Sequence, residues 1–103
     1  AGNTLYCSGQ IALNPATGEL VMDSIEAETH QVMSNVKAVL AAADMDLTNV
    51  VKCSIFMSSM DYYGAINTVY AEYFTENPPA REAVAVKTLP KGVNVEISVT
   101  AVK

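Results

Sequence analysis

The sequence predicts an α+β domain: one mixed β-sheet with two helices packed on one face, in the order β-β-α-β-α-β-β. Three observations carry this. Two stretches repeat apolar residues at three- and four-residue steps, the period of a helix with one buried face. Other stretches alternate apolar and polar residues with period two, or have strand composition between turn residues. Strands alternate with helices through the middle of the chain, which demands at least one parallel crossover. The 103 residues suffice for a single domain, 1–103, with a small core.

The elements follow in chain order. "TLYCSGQIA", residues 4–12, has strand composition. "LNPATGEL" supplies turn punctuation at Pro15 and Gly18, and a second short strand over 19–22 completes a hairpin. Asp23 and Glu26 have the spacing of a capping box at the start of a helix. Ile25, Val32, Val36, Val39, Leu40 and Ala43 form its apolar stripe, and Glu26, Glu28, Gln31 and Lys37 fall largely on the other face. His30 lies near that polar side and reads as a solvated helix residue. The helix is expected to end near Ala43.

"VVKCSIFMS", residues 50–58, is the third strand, with Val51, Cys53, Ile55 and Met57 on one face and Lys52, Ser54, Phe56 and Ser58 on the other. "MDYYGAINTVYAEYF" is a second amphipathic helix, with Asp61 as cap and Tyr62, Ile66, Val69, Tyr70 and Tyr73 as a core stripe. "TENPPA" breaks it, because proline removes a donor and clashes with the preceding turn.

The remaining chain reads as a hairpin turned by "LPKG". In the last strand Val93, Val95, Ile97, Val99 and Ala101 share a face, and Asn94, Glu96, Ser98 and Thr100 share the other. In the strand before it, Arg81, Ala83, Ala85 and Lys87 oppose Glu82, Val84 and Val86. Each buried valine contributes about 1.5–3 kcal/mol, so the register that pairs valines with valines is favoured. That register places Arg81 and Glu96 on one face, away from the helices, with small residues between them. Two readings fit. One is an ordinary Arg–Glu pair at a subunit contact. The other is a carboxylate clamp, in which the planar guanidinium meets a carboxylate through two parallel bonds and Glu96 handles a proton or positions a water.

Half of the residues are hydrophobic and 17% are charged, a high apolar share for so short a chain. Some apolar surface is therefore expected to be buried against other subunits. A formal net charge of -5 argues against nucleic acid and against a polybasic membrane contact. Cys7 and Cys53 stand far apart and form no CxxC motif, as expected of buried, reduced thiols in a cytoplasmic protein. A single histidine excludes a His-rich metal site. No apolar run approaches the ~18 residues of a membrane span.

"PAREAVAVKTLPKGVNVEISVTAVK", residues 79–103, resembles the C-terminal signature of the RidA (YjgF) family of imine and enamine deaminases, also known as L-PSP-type endoribonucleases or translation inhibitors. "YCSGQIALNPATGELV" is similar to the family's N-terminal hairpin, and "SNVKAVLAAADMDLTNVVKCSIFM" and "INTVYAEYF" to its middle. The resemblance implies a chorismate-mutase-like fold and a homotrimer with a central β-barrel-like core, helices outside and sites in the clefts between subunits. It implies hydrolysis of 2-aminoacrylate, 2-aminocrotonate and the corresponding 2-imino acids to 2-keto acids and ammonia, the reaction of a 2-iminobutanoate/2-iminopropanoate deaminase, with no metal or cofactor. Carried over by position, Arg81 binds the substrate carboxylate, Glu96 positions or activates water, and Gly9 lets backbone approach the ligand. Ala83 stands where many members have a cysteine, so only its backbone N–H is available to a ligand. Members also carry an upstream segment with a pocket-lining tyrosine, and the present chain starts after that point. Two other readings stand beside the deaminase: a trimeric binder of small carboxylates or keto acids without turnover, and a ribonuclease or translation inhibitor.

Overall fold

The computed structural model describes residues 2–103. Strands β1 (Thr4–Gln10), β2 (Val50–Met57), β3 (Ala80–Ala85) and β4 (Val95–Val102) form one sheet, and helices α1 (Ile25–Ala42) and α2 (Tyr63–Tyr73) pack on one of its faces. The expected α+β class and helix placement are found. The second predicted strand is reduced to a single bridge between Leu13 and Leu20, closing a tight loop in which the Gly18 N–H donates to the Asn14 carbonyl.

The strand order β1-β4-β2-β3 corrects the predicted C-terminal hairpin. β3 and β4 are not neighbours. β4 lies between β1 and β2, antiparallel to both, and β3 runs parallel to β2 at the sheet edge. "LPKG" does make a turn, with Lys91 and Gly92 both at positive φ. That turn sits in a loop that passes over the end of β2. The Val86 N–H donates to the Met57 carbonyl, and the Ser58 N–H to the Asn94 carbonyl. The reason is topological. β2, α2 and β3 form a parallel crossover, so β3 takes the free edge of β2 and leaves β4 to fill its other edge.

Strand alternation decides the core. Val95, Ile97, Val99 and Ala101 of β4 are buried beneath the helices, together with Cys53, Ile55 and Met57 of β2. Val50 is buried in place of the predicted Val51, because the ladder shifts between Val50 and Lys52. From α1 come Val32, Met33, Val36 and Leu40; from α2 come Ile66, Val69 and Tyr70. The face away from the helices carries Glu96, Ser98 and Thr100 of β4, together with Tyr6, Val84 and Val102, three large residues left exposed.

Both helix caps differ from expectation. Ser24, not Asp23, caps α1, its Oγ accepting from the Ala27 N–H at 3.0 Å. Ser59, not Asp61, caps the short 3-10 turn that leads into α2. His30 is half-buried, and its Nδ1 pairs with the Tyr73 hydroxyl at 2.7 Å, tying α1 to α2. Glu28, expected on the polar face, is fully buried. Asn35 of α1 donates to the carbonyls of Ile11 and Leu13 at 2.9 and 2.8 Å, which anchors the chain where it leaves β1.

Ile97 is fully buried at the centre of β4. Ile97→Ala should cost ~2–5 kcal/mol through lost transfer energy and the cavity left behind. Denaturant titration of the variant should show a lower midpoint with an unchanged slope.

Candidate active site

Arg81 is the second residue of β3, one position after Ala80 and the Pro78–Pro79 pair. Its register partner is Cys53, whose side chain points to the helices, so Arg81 points there too. At the sheet edge the core ends and α2 overhangs it. Tyr63, Asn67 and Tyr70 stand at steps of four and three on α2 and so share one face. The Arg81 Nη1 donates to Asn67 Oδ1, and Nη2 donates to the Tyr63 hydroxyl at 3.2 Å. The guanidinium carbon lies 5.2 Å from the Tyr70 ring centroid and 6.0 Å from that of Tyr63, within cation–π range.

These partners are neutral, so they orient the cation without cancelling its charge. Among the described residues no carboxylate lies within ion-pair distance of Arg81, and the salt bridge on this edge joins Lys52 and Glu82 at 3.8 Å on the exposed face. A cleft of about 370 Å³ opens beside the guanidinium, lined by Asn67, Tyr70, Ala71, Phe74, Pro78 and Pro79.

Glu96 lies elsewhere. Its register partner is Phe56, on the face away from the helices. The expectation that Arg81 and Glu96 share a face is therefore corrected: within one chain they are on opposite faces. It failed because β3 pairs with β2, and β2 presents Cys53, Ile55 and Met57 to the core opposite Arg81, Ala83 and Ala85. The valine rule was outweighed at this edge strand, where Val84 stays exposed and Ala83 packs against the core. Ala83 shares the Arg81 side of β3.

Gly9 and Glu96 are brought together. The β1 ladder passes from Cys7↔Val99 to Gln10↔Ile97, which inserts one extra residue and makes a bulge at Ser8 and Gly9. A Cβ on Gly9 would lie 2.5 Å from both Cδ and Oε1 of Glu96. The glycine thus leaves the space that the carboxylate occupies.

The thiols flank Val99 from β1 and β2, inside the core. Burial raises both thiol pKa values above the ordinary value, Gln10 offsetting part of this at Cys7 and Tyr70 part of it at Cys53. Burial, reinforced by the neighbouring Cys53, likewise pushes the Tyr70 phenol up. None of these groups is activated as a nucleophile.

Tyr63 and Asn67 were missed as site residues. Their spacing with Tyr70 was legible, but only the crossover shows that Arg81 lies beneath that stripe.

The fold and site define a two-layer α+β protein with one bare sheet face and an arginine held at the sheet edge without a counter-charge. The Endoribonuclease L-PSP family matches residues 1–103, and the chain belongs to this family, which is also that of RidA and YjgF. It is 47% identical over 103 residues to a RutC family protein of Pyrococcus horikoshii, covering 100% of this chain and 82% of the relative. It is 42% identical over 100 residues to the 2-iminobutanoate/2-iminopropanoate deaminase of Capra hircus, covering 97% and 73%. The crystal structure of the YjgF gene product of E. coli superposes with a TM-score of 0.92 at 38% identity, covering 99% of this chain and 82% of that one.

Gly9→Ala should make the flexible Glu96 carboxylate swing aside and should therefore cost under ~1 kcal/mol of stability, as a thermal melt would check. Both cysteines should resist iodoacetamide in the native protein at pH 8 and react fully in denaturant, as mass spectrometry would count. Because burial raises their folded pKa values, the stability they contribute is complete below the ordinary thiol value of 9.0 and should decline as pH rises above it.

Proposed function

We propose that the protein hydrolyses 2-imino and 2-enamino acids, such as the imines of 2-aminoacrylate and 2-aminocrotonate, to 2-keto acids and ammonia. One observation carries the reading: Arg81 is held in place by neutral partners beside an open cleft, its charge uncompensated. Such a group suits a small carboxylate, which accepts two parallel hydrogen bonds from the guanidinium fork. The deaminase name of the Capra hircus relative supports the same reaction class.

The chemistry asks little of the protein. Enamine tautomerises to imine, and water adds to the electrophilic C2 carbon. The resulting tetrahedral aminoalcohol expels ammonia as its hydroxyl becomes the keto group. Arg81 fixes the carboxylate attached to C2. Glu96, with its carboxylate set over Gly9, accepts a proton from the attacking water and returns it to the leaving nitrogen. Orientation of this kind can lower a barrier by ~7–11 kcal/mol.

Arg81 and Glu96 lie on opposite faces of one sheet, so one substrate can meet both only if a second copy contributes one of them. The bare face, with Tyr6, Val84 and Val102 exposed, supports a homotrimer with the site between subunits. Sedimentation equilibrium at micromolar concentration is expected to return three times the 11.0 kDa chain mass. A stable monomer would overturn the shared site.

Arg81→Ala should lower hydrolysis of 2-aminoacrylate, generated in situ by a dehydratase, by ~100-fold or more, since charged hydrogen bonds contribute ~1.5–3 kcal/mol each. Arg81→Lys should rescue poorly, because an ammonium keeps the charge but not the fork. An unchanged rate in a trimeric Arg81→Ala variant would refute the clamp. Carboxylate binding that depends on Arg81, without turnover by the wild type, would favour the binder.

A further inference from the structure

Glu28 lies in the first turns of α1 and is fully buried. Its neighbours are N–H donors, and among the described residues no cation lies within ion-pair distance of it. Oε2 accepts from the backbone N–H of Asn94 at 2.8 Å and of Val95 at 3.2 Å. Oε1 accepts from the Asn94 side-chain amide at 2.9 Å. On its other side Asn94 meets the end of β2: its Oδ1 accepts from the Ser58 hydroxyl at 3.1 Å, and its carbonyl from the Ser58 N–H at 3.0 Å. One carboxylate and one serine therefore grip the residue at which the loop from β3 becomes β4.

The residue after Val95 is Glu96. A change in the Val95 backbone turns the next side chain, and register errors in a strand move side chains between faces. A buried carboxylate is a costly means of holding a fold together, since apolar packing of similar volume often does as well. What it supplies is a fixed geometry for two successive backbone N–H groups.

We propose that Glu28 is a positioning residue for imine hydrolysis. Its carboxylate sets the backbone at Asn94 and Val95 and thereby aims Glu96 over Gly9. The inference rests on the reading that Glu96 handles the water, and it adds a residue from α1, on the opposite side of the sheet from Glu96.

Reach, not charge, is then the required property. Glu28→Gln keeps the length. Its amide oxygen can accept both backbone N–H groups while its NH2 faces Asn94, whose amide flips to offer its oxygen as the Ser58 hydroxyl turns to donate to no one and accept instead. Glu28→Asp keeps the charge but falls one methylene short of all three donors.

The experiment compares both variants in steady-state hydrolysis of 2-aminoacrylate, alone and combined with Glu96→Gln. Glu28→Gln should stay within ~3-fold of wild type. Glu28→Asp should lose ~10-fold or more in kcat with KM little changed, because Arg81 is held by α2 and β3. In the Glu96→Gln background Glu28→Asp should have no further effect on kcat. The proposal is overturned if folded Glu28→Asp keeps its kcat, if Glu28→Gln is equally damaged, or if the Glu28→Asp loss persists undiminished without Glu96. Should Glu28→Asp fail to fold, Asn94→Ala takes its place with the same split expected and the same results overturning it. If Glu96→Gln alone leaves the rate unchanged, the role of Glu96 fails and this inference falls with it. A loss in Glu96→Gln beside an intact Glu28→Asp rejects the inference alone.

Discussion

β4 is the strand on which the other elements depend. It is hydrogen-bonded along both edges, to β1 and to β2, and its side chains alternate without a break between a fully buried set and a polar set. Four residues, Val95, Ile97, Val99 and Ala101, are buried on the helix side of the sheet, where α1 packs against β4. A shift of one residue would put all of them into solvent and bury Glu96, Ser98 and Thr100 in their place. At roughly 1.5–3 kcal/mol for each large apolar side chain, that alternative is excluded. The register of β1 and β2, and through β2 the position of β3, follows from this strand.

The two faces of the sheet consequently have different chemistry. The helix side is sealed by packed apolar residues except at the β3 edge, where α2 overhangs the sheet and Arg81 emerges. The other side is polar through its middle and carries Glu96 beside the β1 bulge. Arginine and glutamate are each placed by backbone pairing, and each has room for a defined reason. Arg81 sits at an edge strand beside small residues and prolines. Glu96 sits over a glycine at a bulge. The proposed site uses both, and so calls for another copy of the chain to complete it.

Buried and half-buried polar side chains of α1 reinforce this division. Glu28 grips the start of β4, Asn35 grips the end of β1, and the His30–Tyr73 pair joins the helices. Each joins segments far apart in the chain by groups whose desolvation would be costly if they were left unpaired. Glu28 and Asn35 hold the ends of the two strands that carry Glu96 and Gly9.

The class of fold, the existence and place of both helices and the alternation of β4 were determined by the sequence alone, because each is a local periodicity of apolar residues. The sequence also singled out Arg81 and Glu96 as charges among apolar strand residues, and Arg81, Glu96 and Gly9 as candidates by the family signature. Which strands pair was decided only by the tertiary structure. A hairpin and a parallel crossover compete for the same strand edges, and short-range pattern cannot say that β2 comes between β3 and β4. From that one fact follow the opposite faces of Arg81 and Glu96, the placement of Tyr63 and Asn67 over the guanidinium, and the exposure of Val84. Glu28 shows the same limit within a helix: its spacing marks it as solvent-facing, and only the loop that closes over it supplies the three donors that allow its burial.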